Sequence, residues 1–127
     1  MTAQITAAQS QVSEGQILSD AIARIAGFWK LTNAEVGRIL GLSGPTASRL
    51  RAGAWRLERG MKQFELAQYL LRLFRSVDAI MGSDDDAAAS WLRTANADLG
   101  GRPVDLIQTV RGLSDVADYV DDFRARI

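Results

Sequence analysis

From Glu58 to Met81 the chain reads as one long helix that is apolar over more than half of its circumference. Met61, Phe64, Leu66, Ala67, Tyr69, Leu70, Leu71, Leu73, Phe74, Val77, Ile80 and Met81 are too many for a single stripe. Such a helix needs cover on two sides, either at the centre of its own domain or from a second subunit. Dimerisation through it is the expectation, and a monomer with the helix wholly internal is the alternative. Alanine is frequent elsewhere, runs of valine, isoleucine and tyrosine are absent, and two prolines interrupt 127 residues. An all-α fold follows.

Ahead of that helix the chain is punctuated clearly. Residues 1–13 are small and polar without an apolar period, and are expected to be flexible. Ser13 is the candidate N-cap of a first helix that buries Ile17, Leu18, Ala21, Ile22, Ile25, Ala26 and Trp29. Thr32-Asn33-Ala34-Glu35 is a capping box, opening a second helix that stops at Gly41. Ser43 or Gly44, with Pro45 in the first turn, opens a third that runs to about Ala52. The pair is laid out as a helix-turn-helix: Gly37 permits close approach, and Val36, Leu40, Leu42, Ala47 and Leu50 form the wedge. Over about 20 residues it resembles the Xre/Cro-like class, whose second helix enters the major groove. On that resemblance Ser43, Thr46, Ser48 and Arg49 face base edges, while Arg51, Arg56 and Arg59 suit phosphates. A two-fold dimer through the long helix would set two such helices over a palindromic operator. Between residues 36 and 62 six basic residues face one acid, Glu58, a modest basic footprint. The alternative is a helical hairpin that keeps this shape and no longer grips DNA.

After the long helix, Gly82-Ser83-Asp84-Asp85-Asp86 is a break. Ser83 or Asp84 caps the next helix and the following acids favour its first turn; the run lacks the alternating spacing of a calcium loop. Division into a flexible segment 1–13, a helix-turn-helix and dimerisation unit 14–82, and a C-terminal unit 83–127 is expected. In the last unit a helix carrying Trp91, Leu92 and Leu99 is expected to end at Gly100-Gly101, and Arg102-Pro103 to begin another with Val104, Ile107 and Val110 on one stripe. Ser114 then caps a final helix whose apolar face is Val116, Tyr119, Val120 and Phe123, with Asp118, Asp121 and Asp122 on its solvated side.

Charge and residue absences narrow the chemistry. Residues 1–83 hold ten basic and six acidic side chains, net +4; residues 84–127 hold five and nine, net −4. Two partners of opposite sign are expected. Without a single cysteine or histidine, thiolate and imidazole metal sites and most nucleophilic or acid–base constellations are removed, so no enzyme and no metal are expected. No secretory leader pattern and no apolar run of ~18 residues is present, and a cytoplasmic location is expected.

One spaced set covers about a third of the chain: Trp91-Leu92, Asn96, Leu99-Gly100-Gly101, Pro103, Leu106, Thr109 and Gly112, or W-L-x₃-N-x₂-L-G-G-x-P-x₂-L-x₂-T-x₂-G. It resembles the toxin-binding domain of the Xre-type antitoxins that accompany RES-domain toxins in bacteria. The resemblance implies an antitoxin that covers the active site of an NAD-using, ADP-ribosyltransferase-like toxin, binds no cofactor itself, and represses its own operon. Carried onto this sequence, the toxin-facing residues are Trp91, Asn96, Gly101, Arg102, Tyr119, Arg124, Arg126 and Ile127. A free-standing helix-turn-helix repressor, with a C-terminal unit that dimerises or senses a ligand, is the alternative.

Overall fold

Trp29 sits at the end of the first helix, and the molecule is built around it and one central helix. The computed structural model describes residues 7–126, with side chains described from Glu14. The helices are α1 (Ala7–Phe28), α2 (Asn33–Leu40), α3 (Gly44–Arg51), α4 (Lys62–Ile80), α5 (Asp85–Arg93), α6 (Pro103–Leu106) and α7 (Val110–Ala125), and among the described residues there is no strand. No helix among them is long and apolar enough to cross a membrane.

Helix α1 starts earlier than the sequence reading placed it. The stretch from Ala7, rich in the strong helix former alanine, is already helical, so Ser13 lies inside the helix rather than at its cap. Residues 1–6 lie outside the described residues. Ile17, expected on the buried face, is 67% exposed, while Leu18, Ile22, Ile25 and Ala26 form that face. The helix closes with Lys30 in the left-handed region (φ 55°) and Leu31 N–H donating to Ala26 O, 2.9 Å, the bond pattern of a Schellman end.

The α2 box forms as expected: Thr32 Oγ1 accepts from Glu35 N–H (3.0 Å) and Glu35 Oε1 accepts from Thr32 N–H (2.8 Å). Thr32→Ala is expected to lower stability by about 1 kcal/mol in urea denaturation, with the m-value unchanged. Gly41 is left-handed, and at Gly37 a Cβ would stand 2.6 Å from Leu42 O, so the tight turn into α3 requires a glycine there.

The long helix is shorter than the pattern of apolar residues. Gly60, at φ 96°, interrupts it, and Glu58–Met61 becomes a turn before α4 begins at Lys62. Part of its apolar surplus finds cover within the chain, while Tyr69 stays 43% exposed and Leu66 and Leu71 half-buried. Phe74 packs on Trp29 (ring centroids 5.5 Å apart) and on Phe28 (6.0 Å) of α1. On the other side Arg72 and Ser76 hold Asp121 of α7, the Ser76 bond being 2.6 Å. Asp121 is therefore a clasp between α4 and α7 and not part of a solvated side. Burial raises its carboxyl, and the bonds from Ser76 and Arg72 outweigh that, holding it below the ordinary value.

Gly82 and Ser83 are both left-handed, and Asp84 caps α5 by accepting from Ala87 N–H, 3.0 Å. The apolar core is nevertheless continuous across this break, from Leu18 and Trp29 through Leu70 and Leu73 to Leu92, Ile107 and Val120. The α4–α7 pair, which straddles the break in sequence, is the most extensive helix contact in the fold.

Three C-terminal boundaries differ from the sequence reading. Helix α5 stops at Arg93, with Thr94 extended, so Leu99 does not share a helical face with Leu92. The Asn96 carboxamide takes the N–H groups of Asp98 (3.0 Å) and Leu99 (3.2 Å), which turns the chain before a helix can continue. Residues 103–112 do not form one helix either: α6 ends at Leu106 and Val110 is 67% exposed. Thr109, not Ser114, caps α7, by accepting from Gly112 N–H at 3.0 Å.

Candidate functional site

Two surfaces carry the residues singled out by the sequence. On the first, Ser43 caps α3, its Oγ accepting from Thr46 N–H (3.2 Å), and Pro45 fits the first turn. Ser43, Ser48 and Arg49 are exposed, and Thr46 is half-buried. Ala47 and Leu50 on the opposite side are buried, which fixes the face that α3 presents. Thr46 Oγ1 receives hydrogen bonds from Ser43 Oγ (2.9 Å) and Arg49 Nη2 (3.0 Å). Arg56 is exposed in the connection beyond α3. Arg51 is engaged internally: its Nη1 donates to Leu31 O (2.7 Å) and Asn33 Oδ1 (3.1 Å), bracing α3 on the α1–α2 turn. Arg59 pairs with Glu14 at 3.3 Å.

The second surface is an apolar groove of about 220 Å³ where the end of α4 meets α5 and α7. Val77, Ile80 and Met81 form one wall, Tyr119, Val120 and Phe123 the other, with Trp91 between them. Phe123 is 47% exposed, while Trp91 and Tyr119 are half-buried. Tyr119 Oη donates to Asp98 Oδ2 (3.0 Å), tying the 94–102 turn to α7 beside the groove. Backbone bonds from Asn96 N–H to Gly101 O and from Gly100 N–H to Asn96 O, both 2.9 Å, close that turn. Trp91 and Tyr119 thus come together, with the Asn96–Gly101 turn as their neighbour.

The charged members of the expected set lie apart from the groove's floor. Arg102 is forked onto Asp105 (2.8 and 3.0 Å), an exposed pair that holds the Asp105 carboxyl below its ordinary value. Arg124 Nη1 reaches Ser76 Oγ of α4 at 3.4 Å, and Arg126 pairs with Asp122 at 2.8 Å. Ile127 lies outside the described residues. Phe123, Ile80 and Met81 belong to the groove; the sequence assigns Phe123 only to the apolar face of the last helix, and Ile80 and Met81 to the apolar surplus of the long one. The available signal was the spacing of Tyr119 and Phe123, one turn apart.

The spaced motif now has a physical basis. A Cβ at Gly112 would stand 1.8 Å from Leu106 O and 2.9 Å from Thr109 Oγ1, so only glycine lets α7 start against the end of α6. Pro103 opens α6, and Gly101 lies against the Leu106 side chain. A further contact had no sequence signal: Arg93, at the end of α5, holds the buried Glu35 of the α2 capping box through Nη2–Oε1 (2.8 Å) and Nη1–Oε2 (3.1 Å). Its Nη2 also donates to Lys30 O, 2.9 Å. The Arg93 bonds, opposed by burial, hold the Glu35 carboxyl below its ordinary value.

The tight α2–α3 turn packed on α1 and α4 defines a helix-turn-helix protein, and its chain continues into a second helical unit bearing an apolar groove. Residues 8–72 match the antitoxin Xre-like helix-turn-helix domain, and residues 76–126 match the antitoxin Xre/MbcA/ParS C-terminal toxin-binding domain. The chain belongs to the Xre-type antitoxin family. No curated protein matched.

Proposed function

We propose that this chain neutralises a RES-domain toxin by laying its C-terminal unit, residues 83–127, over the toxin's NAD entrance, and that it acts by binding alone, as a cytoplasmic protein without catalysis or cofactor. The observation that carries the reading is the groove of Trp91, Tyr119 and Phe123 inside the toxin-binding domain. Aromatic side chains around a pocket are the usual anchors of a tight interface, where a few residues supply most of the affinity. The net charge of −4 over residues 84–127 suits a partner whose catalytic mouth accepts phosphates and is basic. Asn96, Gly101 and Arg102 on the adjoining turn, and Arg124, Arg126 and Ile127 on the tail, complete the proposed contact set.

Phe123→Asp places a charge in the groove while leaving the buried core of α7 intact. It is expected to weaken binding to the toxin encoded beside this chain by about thirtyfold or more, read by titration calorimetry, and to abolish protection on co-expression. Unchanged affinity and full rescue would remove the groove from the interface. A toxin that stays lethal with the wild-type chain would end the antitoxin reading and favour the free-standing repressor.

Residues 14–82 are the proposed operator-binding unit, working as a homodimer. Support comes from the α3 face described above and from a strip along α1 and α4, with Ile17 exposed and Ala21 and Leu71 half-buried, bordered by Arg24 and Arg75. A second copy covering that strip would place two α3 helices for a palindromic site.

A further inference from the structure

We propose that Arg49 reads a guanine, with Thr46 as its positioning residue, and that this contact sets the sequence preference of the chain. The inference rests on the operator-binding reading above and names the base that α3 recognises. Ser43, Thr46 and Arg49 follow one another at i, i+3 and i+6 and form a single row along the outer face of α3. The row is internally bonded through Thr46 Oγ1, which accepts from both Ser43 Oγ (2.9 Å) and Arg49 Nη2 (3.0 Å). Both lone pairs of that oxygen are then taken, and the Thr46 hydroxyl proton is left to donate. Arg49 has donors only. At these two positions the helix offers hydrogens and accepts none.

That pattern selects among base edges. In the major groove guanine shows two acceptors, N7 and O6; adenine shows an acceptor beside a donor; cytosine shows an amino donor; thymine shows one acceptor beside a methyl group. Two parallel guanidinium N–H groups match guanine alone. One N–H of Arg49 is bonded to Thr46, which limits the rotamers the long side chain must give up on docking and leaves four N–H groups for the base. Of the other arginines near α3, Arg51 is bonded to Leu31 O and Arg38 to Gln108, while Arg56 is exposed in the connection beyond the helix, off the Ser43–Thr46–Arg49 row.

Selection of binding duplexes from a randomised library by the full-length chain tests this. The wild-type chain is expected to enrich a motif with a fixed guanine, and replacing that base by 7-deazaguanine, which lacks N7, to weaken binding by about tenfold. Arg49→Ala, an exposed substitution checked for folding by circular dichroism, is expected to lose the guanine from its motif while keeping low-salt affinity for unrelated duplex within a few-fold. Thr46→Val, which removes the hydroxyl, is expected to reduce the guanine preference and leave the remaining positions in place. An Arg49→Ala chain that enriches the same guanine overturns the proposal and leaves operator binding standing. A Thr46→Val chain with undiminished preference overturns the positioning role. A wild-type chain that enriches no sequence overturns the operator reading and this inference together.

Discussion

Gly112→Ala is expected to lower stability by about 3 kcal/mol or more, the upper end for forcing extra volume into a packed site. The added carbon would lie 1.8 Å from Leu106 O and 2.7 Å from the carbonyl carbon, both backbone atoms that no rotamer change can move. Relief requires α6 and α7 to separate, and separation breaks the Thr109 cap and uncovers Ile107 and Leu113, which are fully buried. Urea denaturation followed by circular dichroism should show the midpoint falling sharply. Toxin affinity should fall with it, because the groove wall formed by Tyr119, Val120 and Phe123 is carried on α7. A variant with wild-type stability would mean that α7 starts elsewhere in solution.

Arg93→Ala is expected to lower stability by about 2 kcal/mol at neutral pH. Removing one partner of a fully buried pair costs about 3–5 kcal/mol, and the smaller figure applies because the Arg93 side chain remains 35% exposed, against 11% for Glu35. The deficit should depend on pH. With Arg93 present, the Glu35 carboxyl is held below its ordinary value of about 4.3, so its contribution is complete above that pH and is lost as pH falls through the folded-state value. Without Arg93, the buried carboxylate is an uncompensated charge that protonation relieves. The gap between wild type and variant should therefore narrow on going from pH 7 to below pH ~4. Asp121 is also held down, by Ser76 and Arg72 in both proteins alike, and cancels in the difference, whereas Asp105 is held down chiefly by Arg102 and only to a lesser degree by Arg93. A gap constant with pH would mean that Arg93 acts through its bond to Lys30 O alone.

Much of the helical half was legible because local chemistry decides it. The Thr32–Glu35 box, the Ser43 cap and the Asp84 cap each lie within one turn of chain; the box forms as read, and the structure selects Ser43 over Gly44 and Asp84 over Ser83, the pairs that the sequence leaves open. The misread boundaries lie where a side chain or a distant backbone atom intervenes. Asn96 diverts backbone donors that α5 would otherwise use, and apolar spacing is blind to that. Thr109 wins the α7 cap over Ser114 because Gly112 can approach Leu106 O, a contact between segments whose packing the sequence does not display. The same holds for charge. Arg51 and Asp121 read as exposed ions, and both are tied into the fold by partners 18 or more residues away. Of the expected toxin-facing residues, Trp91 and Tyr119 line one groove, while Arg102 and Arg126 lie in ion pairs of their own.

The sharing of α4 between the two matched regions has a consequence for turnover. Helix α7 leans on α4 through Asp121 and a continuous core, so the C-terminal third has no closed interior of its own. Excising it at the Gly82–Asp84 turn would strip both fragments of their common wall and leave wet hydrocarbon on each. A cut at that turn is therefore expected to cost both fragments their fold, so that a clipped C-terminal third would not serve as a binding unit by itself.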